Sequence, residues 1–223
     1  ILLGITEVKV TKKAPLGKMY FGLGDKPVLD FDLRGKAFEN WCTDTFGYET
    51  DTDPIYRAIP FYYALHNNQA YGIFLDNTYR TRFSFDRQGN GISSFSAAGG
   101  DINYYFIYGP ELQSVATQYT QLTGTPELPP LWALGYHQCR WSYYPESHVR
   151  QVTEAFRQKQ IPCDVIYLDI DYMDGYRCFT WDKTRFPDPQ KLIDDLKDQG
   201  FKMVVIIDPG ILIDKDYEVY QTG

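Results

Sequence analysis

The chain has 223 residues, which is enough for one or two domains. Its 22 basic and 29 acidic side chains give a net charge of −7, and no run of Lys or Arg offsets that mean. This balance argues against a nucleic-acid partner, because a polyanion is bound by basic patches. No stretch of 18 apolar residues occurs, so a membrane segment is not expected either.

The cysteines and histidines do not form a metal-binding pattern. Four cysteines contain no CxxC pair, and the chain has three histidines, so neither a metal nor a structural zinc site is expected. Cys139 and Cys163 stand in or beside apolar runs, where free cysteine behaves as a small hydrophobe. The chain starts at Ile1 without Met or a signal-peptide pattern, leaving its compartment unassigned. We expect it to be a piece of a longer polypeptide.

Residues 1–128 are predicted to form a mostly β domain. Alternation over Glu7–Thr11 indicates a half-buried strand, and the turn His66–Gln69 between two apolar runs predicts a hairpin. The remaining segments follow at the short spacing of a β-sandwich. The predicted hairpin arms and later strands are Ala58–Leu65, Ala70–Leu75, Tyr79–Phe85, Ile92–Ser96 and Asn103–Tyr108.

Two other segments of this first region have a predicted role. The long, polar stretch Gly35–Tyr56 is predicted to be a functional or mobile loop, since loops of that length are rare in compact domains. Apolar spacings of three and four predict a helix over Glu111–Thr123, stopped by Gly124. The proline-rich segment Thr125–Pro130 is the predicted connector.

Residues 129–223 show an alternation of strands and helices. Three apolar runs without alternation predict parallel strands buried on both faces: Leu131–Arg140, Cys163–Asp171 and Lys202–Asp208. Helices are predicted over Pro145–Lys159 and Pro189–Gln199. Such units begin either a (β/α)₈ barrel or a doubly wound sheet. A dinucleotide fold is disfavoured because no glycine-rich turn follows the first strand.

Carboxylates stand where two of these strands are predicted to end. Asp169 and Asp171 are two residues apart, so on one strand both would face the same cavity and could contact sugar hydroxyls or act in acid–base chemistry. The alternative is a solvated turn. For Asp208, an ion pair or loop cap is as good an interpretation as ligand contact.

Aromatic residues near the strand ends are further candidates. Trp141 follows the first predicted strand and is suited to stacking on a pyranose ring, although packing beneath a loop is the alternative. The segment Asn40–Asp44 is either a contact patch or a surface loop anchored by Trp41. His137 is interpreted as a satisfied core histidine rather than a base.

Two groups of segments carry a family resemblance. In the second region they are Leu131–Tyr144, Pro162–Asp174 and Val205–Gly210. In the first region they are Phe21–Gly24, Leu33–Gly35, Trp41–Asp44, Thr52–Pro54, Ile59–Phe61 and Tyr71–Asn77. Together, in this order, they resemble the family 31 glycoside hydrolases of the α-glucosidase type. The resemblance implies an N-terminal β-sandwich at 1–128, followed at 129–223 by the first three βα units of an incomplete (β/α)₈ TIM barrel.

The resemblance also implies roles for individual residues. Asp169 is similar to the family's carboxylate that binds hydroxyls of the sugar being released, and Trp141 matches an aromatic position of the same pocket. Ile170 and Ile206 resemble apolar lining residues. Asp44 resembles the sandwich-loop aspartate that reaches the neighbouring subsite. No cofactor is implied, because this type of hydrolysis uses carboxylates alone.

The family's two catalytic aspartates are not matched. The nucleophile lies in a Trp-x-Asp-Met-Asn-Glu segment that this chain does not contain, and the acid/base aspartate lies later still. We therefore expect no catalytic residue here. The parent enzyme is expected to be a retaining α-glycosidase that removes terminal non-reducing α-linked glucosyl or related residues from oligosaccharides. This segment alone is expected to be inactive without the remaining C-terminal part.

An alternative of another class stays open, namely a non-catalytic carbohydrate-binding module that uses Trp141, Asp169 and Asp44. A self-sufficient catalytic pair of Asp169 and Asp171 is disfavoured, because neighbours on one strand do not flank a substrate. Hydrolysing and transglycosylating members with several sugar specificities share this front half of the family.

Overall fold

The computed structural model describes residues 7–223. The chain divides into two compact units, one ending at Pro126 and the other spanning Glu127–Gly223. The division falls inside the proline-rich segment Thr125–Pro130. We refer to these parts as unit 1 and unit 2 and describe each by itself.

Unit 1 contains two four-stranded antiparallel sheets. One has the strand order β1-β7-β6-β3 and the other the order β2-β4-β5-β8. The strands are β1 (Val8–Lys13), β2 (Met19–Gly24), β3 (Ala37–Asn40), β4 (Ala58–His66), β5 (Gln69–Leu75), β6 (Thr81–Phe85), β7 (Ile92–Ala97) and β8 (Tyr104–Tyr108). The predicted hairpin is confirmed, since His66 pairs with Gln69 across a two-residue turn. Asn67 and Asn68 occupy that turn with φ of 50° and 57°, a conformation that asparagine tolerates well.

Side chains from both sheets share one core. Tyr20 of β2 stacks on Phe85 of β6 with 4.6 Å between ring centroids, and Tyr62 of β4 meets Phe85 edge-on at 5.0 Å. All three side chains are almost completely buried. Because burial of large aromatic side chains dominates core energetics, this cluster holds the two sheets together.

The predicted helix of unit 1 is confirmed as α1 (Leu112–Thr123), which ends at Gly124. It packs on the second sheet through buried Val115, while Tyr119 stacks on Phe61 with centroids 3.9 Å apart. Gly72 permits this close approach, because a Cβ there would lie 2.7 Å from both Phe61 and Val115.

The structure corrects two expectations in unit 1. The segment Gly35–Tyr56 is not entirely a loop, because β3 lies within it and pairs with β6. The prediction failed because four residues, Ala37–Asn40, are too few for a period-2 pattern to stand out. Strand β2 was also not predicted. Its glycines, Gly22 and Gly24, have positive φ at a register shift opposite β4, which interrupts the strand pattern.

Unit 2 contains a three-stranded parallel sheet of order β11-β10-β9. Its strands are β9 (His137–Gln138), β10 (Val165–Leu168) and β11 (Lys202–Val205). The helices are α2 (Glu146–Gln158), α3 (Pro189–Asp198) and the short α4 (Glu218–Thr222). Both predicted connecting helices are therefore confirmed.

The core of unit 2 forms between this sheet and α2 and α3. Val149 of α2 and Leu192 and Leu196 of α3 are completely buried beside Ile166 and Leu168 of β10. Asp188 accepts a hydrogen bond from the Lys191 backbone N–H at 3.0 Å, satisfying an otherwise free donor at the start of α3.

The expected first strand of unit 2 is mostly wrong. Leu131–Leu134 forms a 3₁₀ helix, and β9 is reduced to His137–Gln138. Leu131 and Leu134 are exposed rather than buried on two faces. An apolar run indicates burial somewhere but does not distinguish a strand from a short helix. The third strand also ends earlier than expected, at Val205 rather than Asp208.

Candidate functional site

The three strands of unit 2 run in parallel, so their carboxyl ends meet at one edge of the sheet. Trp141 follows the end of β9 by three residues, Asp169 follows β10 directly, and Ile206 follows β11 directly. Ligand sites in parallel α/β folds form at this edge, because loops there bring side chains from several strands together.

Asp169 is a half-buried carboxylate at the end of β10. One oxygen, Oδ1, accepts a hydrogen bond from the Ile170 backbone N–H at 2.8 Å and so caps a 3₁₀ helix over Ile170–Tyr172. Within residues 7–223 no basic side chain pairs with Asp169. It therefore keeps acceptor capacity for a ligand. The pKa of the Cys139 thiol is raised, first by burial and second by the negative charge of Asp169.

Asp171 does not share a strand face with Asp169, contrary to expectation. Strand β10 ends at Leu168, and Asp171 lies inside the following 3₁₀ helix, where side chains no longer alternate. Asp171 is 7% exposed, and its Oδ2 accepts hydrogen bonds from Ser142 Oγ and, at 3.2 Å, from Trp141 Nε1. Its carboxylate is thus occupied by protein donors.

Trp141 is the exposed aromatic residue at this edge. Its side chain is 75% exposed although its indole N–H is bonded to Asp171. A bond made through the ring edge leaves the π surface free for stacking. The interpretation of Trp141 as a residue merely packed beneath a loop does not fit this exposure.

The end of β11 is joined to that of β10 by a hydrogen bond. Tyr172 donates its hydroxyl to the Ile206 carbonyl oxygen at 2.8 Å. Burial, with Cys178 and Asp208 nearby, raises the pKa of the Tyr172 phenol. The side chain of Ile206 is 36% exposed, whereas Ile170 is half-buried against the unit 2 core.

Asp208 lies beyond the strand with its side chain exposed. Its carbonyl oxygen accepts a hydrogen bond from the Cys178 thiol at 3.2 Å, so its backbone helps to fix the loop.

His137 lies on strand β9, and its Nδ1 is 3.1 Å from the Tyr167 hydroxyl. Its Nε2 is buried and lacks a partner among residues 7–223, so this histidine is only half satisfied.

Asp44 belongs to unit 1 and is exposed in the segment after β3. In the same segment lies Trp41, and the Arg80 guanidinium packs over its ring, 5.0 Å from the ring centroid. Arg80 is in turn ion-paired with Glu39. The other four predicted site residues lie in unit 2.

Sequence reasoning missed the residues that hold Asp171. Ser142 follows the candidate Trp141 directly, but no sequence motif marked it as a partner of Asp171. Arg185 donates from Nη1 to the Asp171 carbonyl oxygen at 3.1 Å and lies 3.5 Å from Oδ1. Because the contact spans 14 positions outside any helix, no local signal could have revealed it.

The described residues also bear on metals and membranes. Across residues 7–223 no group of three His, Cys, Asp or Glu side chains is arranged to hold a metal ion. Among the helices in that range, none combines the length and apolarity needed to cross a bilayer. Four concavities of 410 to 670 Å³ are lined by unit 1 residues alone.

Two family models match the chain. The glycosyl hydrolase 31 N-terminal galactose mutarotase-like domain matches residues 3–84, and the glycosyl hydrolases family 31 TIM-barrel domain matches residues 126–223. Together these ranges cover most of the chain. The region after β6 in unit 1 lies between them.

Curated relatives agree with these matches. Alpha-glucosidase 2 of Bacillus thermoamyloliquefaciens is 47% identical over 205 residues, which are 92% of this chain and 26% of that protein. The alpha-glucosidase of Saccharolobus solfataricus is 33% identical over 97% of this chain and 31% of its own length. The chain thus spans between a quarter and a third of these relatives.

Solved structures have the same fold. A family 31 dextranase of Flavobacterium johnsoniae complexed with isomaltotriose superimposes with a TM-score of 0.83 and 39% identity, over 92% of this chain and 25% of that one. The family 31 alpha-glucosidase of Bacteroides thetaiotaomicron gives 0.84 and 35% identity, over 100% and 37%. The recognition made from the sequence motifs is confirmed, and the chain belongs to glycoside hydrolase family 31.

Proposed function

We propose that this chain is part of a retaining α-glycosidase that releases terminal non-reducing α-linked glucosyl or related residues from oligosaccharides. It supplies sugar-binding residues and neither the nucleophile nor the acid/base. The observation that carries the proposal is the contrast between two neighbouring carboxylates. Asp171 is occupied by protein donors, whereas Asp169 has no ion-pair partner among residues 7–223 and stands at the carboxyl edge with exposed Trp141.

Each side chain at this edge has a distinct proposed role. Asp169 accepts hydrogen bonds from sugar hydroxyls, which a carboxylate accepts more strongly than a neutral group does. Trp141 stacks its ring on the C–H face of a pyranose. Ile206 and Ile170 supply apolar lining. The assignment of Asp44 to the neighbouring subsite rests on the family resemblance alone.

The proposed architecture is a β-sandwich over residues 1–128 and the first three βα units of a (β/α)₈ barrel over residues 129–223. Two sheets that share a core support the sandwich. Three parallel strands with α2 and α3 packed on them support the barrel. Such a barrel takes about 250 residues, so we propose that the C-terminal part of the same enzyme completes it.

Retaining hydrolysis requires two carboxylates on either side of the scissile bond, about 5 Å apart. Asp169 and Asp171 do not serve as this pair, because Asp171 is buried and held by Ser142, Trp141 and Arg185. The isolated chain is therefore proposed to be inactive.

A carbohydrate-binding module remains the second candidate function. The exposed ring of Trp141 favours it, because that ring needs no further polypeptide to stack on a sugar.

Calorimetric titration with isomaltotriose tests the binding role. Removing the charge with Asp169→Asn should weaken binding about 10-fold or more, because hydrogen bonds to charged groups contribute about 1.5–3 kcal/mol. The matched control is Asp164→Asn, which changes the same residue type at the opposite end of β10. Equal affinities of both variants and the parent chain would contradict the proposed site.

The stereochemical claim is tested on the complete enzyme. Proton NMR during the first turnovers of an α-glucoside should show the α-anomer of the released sugar before mutarotation. Initial release of the β-anomer would contradict retention. Saturable binding by a chain that restores no activity with its C-terminal part would favour the binding module.

A further inference from the structure

The carboxylate of Asp171 links two segments that are distant in sequence. It accepts from the consecutive residues Trp141 and Ser142, which follow β9, while Asp171 itself follows β10. The donors are about 30 positions away from the acceptor in the chain. One buried side chain thus fixes the loop after β9 to the end of the neighbouring strand.

This contact determines where an exposed ring stands. Trp141 projects 75% of its surface into solvent, so little packing restrains it. The indole N–H lies in the ring plane at its edge, and the bond to Asp171 at 3.2 Å restrains rotation without covering a face. Without that acceptor the ring would sample several rotamers and lose conformational entropy on binding a ligand.

A second aromatic ring is tied to the same residue through Arg185. This arginine donates to the Asp171 carbonyl oxygen at 3.1 Å and forms an ion pair with Asp182 at 3.3 Å. Its guanidinium lies 4.8 Å from the ring centroid of Tyr144, which is 43% exposed. Guanidinium groups over aromatic faces are attractive, so Arg185 restrains this ring as well.

We propose that Asp171 is a positioning residue that orients two exposed rings, Trp141 directly and Tyr144 through Arg185, for contact with a saccharide. The inference rests on the proposed function and deepens it. Asp171 does not touch the sugar. It acts by preorganising rings that do, and Tyr144 becomes a second stacking surface in addition to Trp141.

The first test needs no sugar. In the 223-residue chain, the indole N–H resonance of Trp141, assigned by its loss in Trp141→Phe, should shift and exchange faster with water in Asp171→Ala. Asp171→Asn retains an acceptor oxygen and should keep the resonance near its original position. Asp174→Asn is the matched control, an exposed carboxylate nearby whose partner is Arg177. An unchanged resonance in Asp171→Ala would overturn the positioning role.

The second test is a double-mutant cycle on isomaltotriose affinity. Asp171→Ala should weaken binding about 3- to 10-fold, within the range expected for aromatic contacts. In a Trp141→Ala, Tyr144→Ala background it should have no further effect, because its action passes through those rings. An equal loss in both backgrounds would show a direct or general effect and overturn the proposal.

The two tests separate the inference from the proposed function. If Trp141→Ala leaves sugar affinity unchanged while the indole resonance still depends on Asp171, the sugar-binding role fails and the anchoring holds. If Asp171→Ala does not fold, Trp141→Phe decides the question, since it retains a ring but removes the anchored N–H. Its affinity should fall about 3-fold, and parent-like affinity would overturn the proposal.

Discussion

Units 1 and 2 differ in what packs against their sheets. In unit 1 both sheets face the same aromatic core, built around Tyr20, Tyr62 and Phe85. In unit 2 the helices α2 and α3 pack on the sheet, while apolar side chains of the 3₁₀ helix Leu131–Leu134 and of the segment 206–213 remain exposed. The comparison teaches that unit 1 is organised around one aromatic core shared by two sheets, whereas unit 2 leaves a group of apolar side chains exposed beside the carboxyl edge of its single sheet.

The core of unit 1 gives the largest expected effect. Phe85→Ala should lower the free energy of unfolding by about 3–5 kcal/mol, since it empties the space between the two sheets. The matched control is Phe46→Ala, because Phe46 is 97% exposed and its loss should change stability by less than about 0.5 kcal/mol. Urea denaturation followed by circular dichroism measures both. Equal losses would refute the shared core.

A half-buried lysine of unit 1, Lys12, gives a smaller, pH-dependent effect. Burial and then Lys18 lower the pKa of Lys12 to about 8, with its ammonium 4.2 Å from the Tyr71 ring centroid. The folded state thus binds fewer protons than the unfolded chain between pH 8 and the usual value of 10.5. The free energy of unfolding therefore rises with pH across that window. Below pH 8 Lys12 is charged in both states, and it destabilises the folded state by the full amount.

Lys12→Met should therefore stabilise the chain at pH 7 by roughly 1 kcal/mol, a figure reduced for partial exposure of the amine. The gain should shrink as pH rises from 8 to 10.5. Urea midpoints at pH 7 and pH 10 measure it, with exposed Lys215→Met as control. A gain that grows with pH would contradict the sign.

The smallest effect is expected on the exposed apolar segment of unit 2. Ile213 is 80% exposed, so Ile213→Ser should change the free energy of unfolding by less than about 0.5 kcal/mol. It should instead reduce self-association, because exposed apolar patches promote contact between copies. Sedimentation velocity at several concentrations measures this. A large loss of stability would show that the side chain is packed within the chain.

Local patterns explain what the sequence predicted well. Helices α2 and α3 follow from apolar spacing, and the β4–β5 hairpin follows from the asparagine turn, since all are determined by neighbours in sequence. The prediction of a strand over Leu131–Leu134 was wrong, because an apolar run does not distinguish a strand from a short helix.

The sequence predicted which candidate residues stand near strand ends, but not the contacts that they make. The sequence placed Trp141 after the first strand and Asp169 near the end of the second, and each of them follows a strand in the structure. Ile206 was expected inside the third strand but follows its end, and the expectation that Asp171 shares a strand face with Asp169 was wrong. A strand that ends at Leu168 rather than Asp171 changes which way the second carboxylate faces. The contacts of Arg185 are long-range and depend on the folded chain.

The central claim is that this chain supplies the sugar-binding part of an α-glycosidase and none of its reacting groups. The most direct measurement is hydrolysis of a nitrophenyl α-glucoside by the 223-residue chain, alone and after assembly with the C-terminal part of the enzyme. The account predicts no turnover by the chain alone and turnover after assembly. Turnover by the isolated chain that Asp169→Asn abolishes would contradict it.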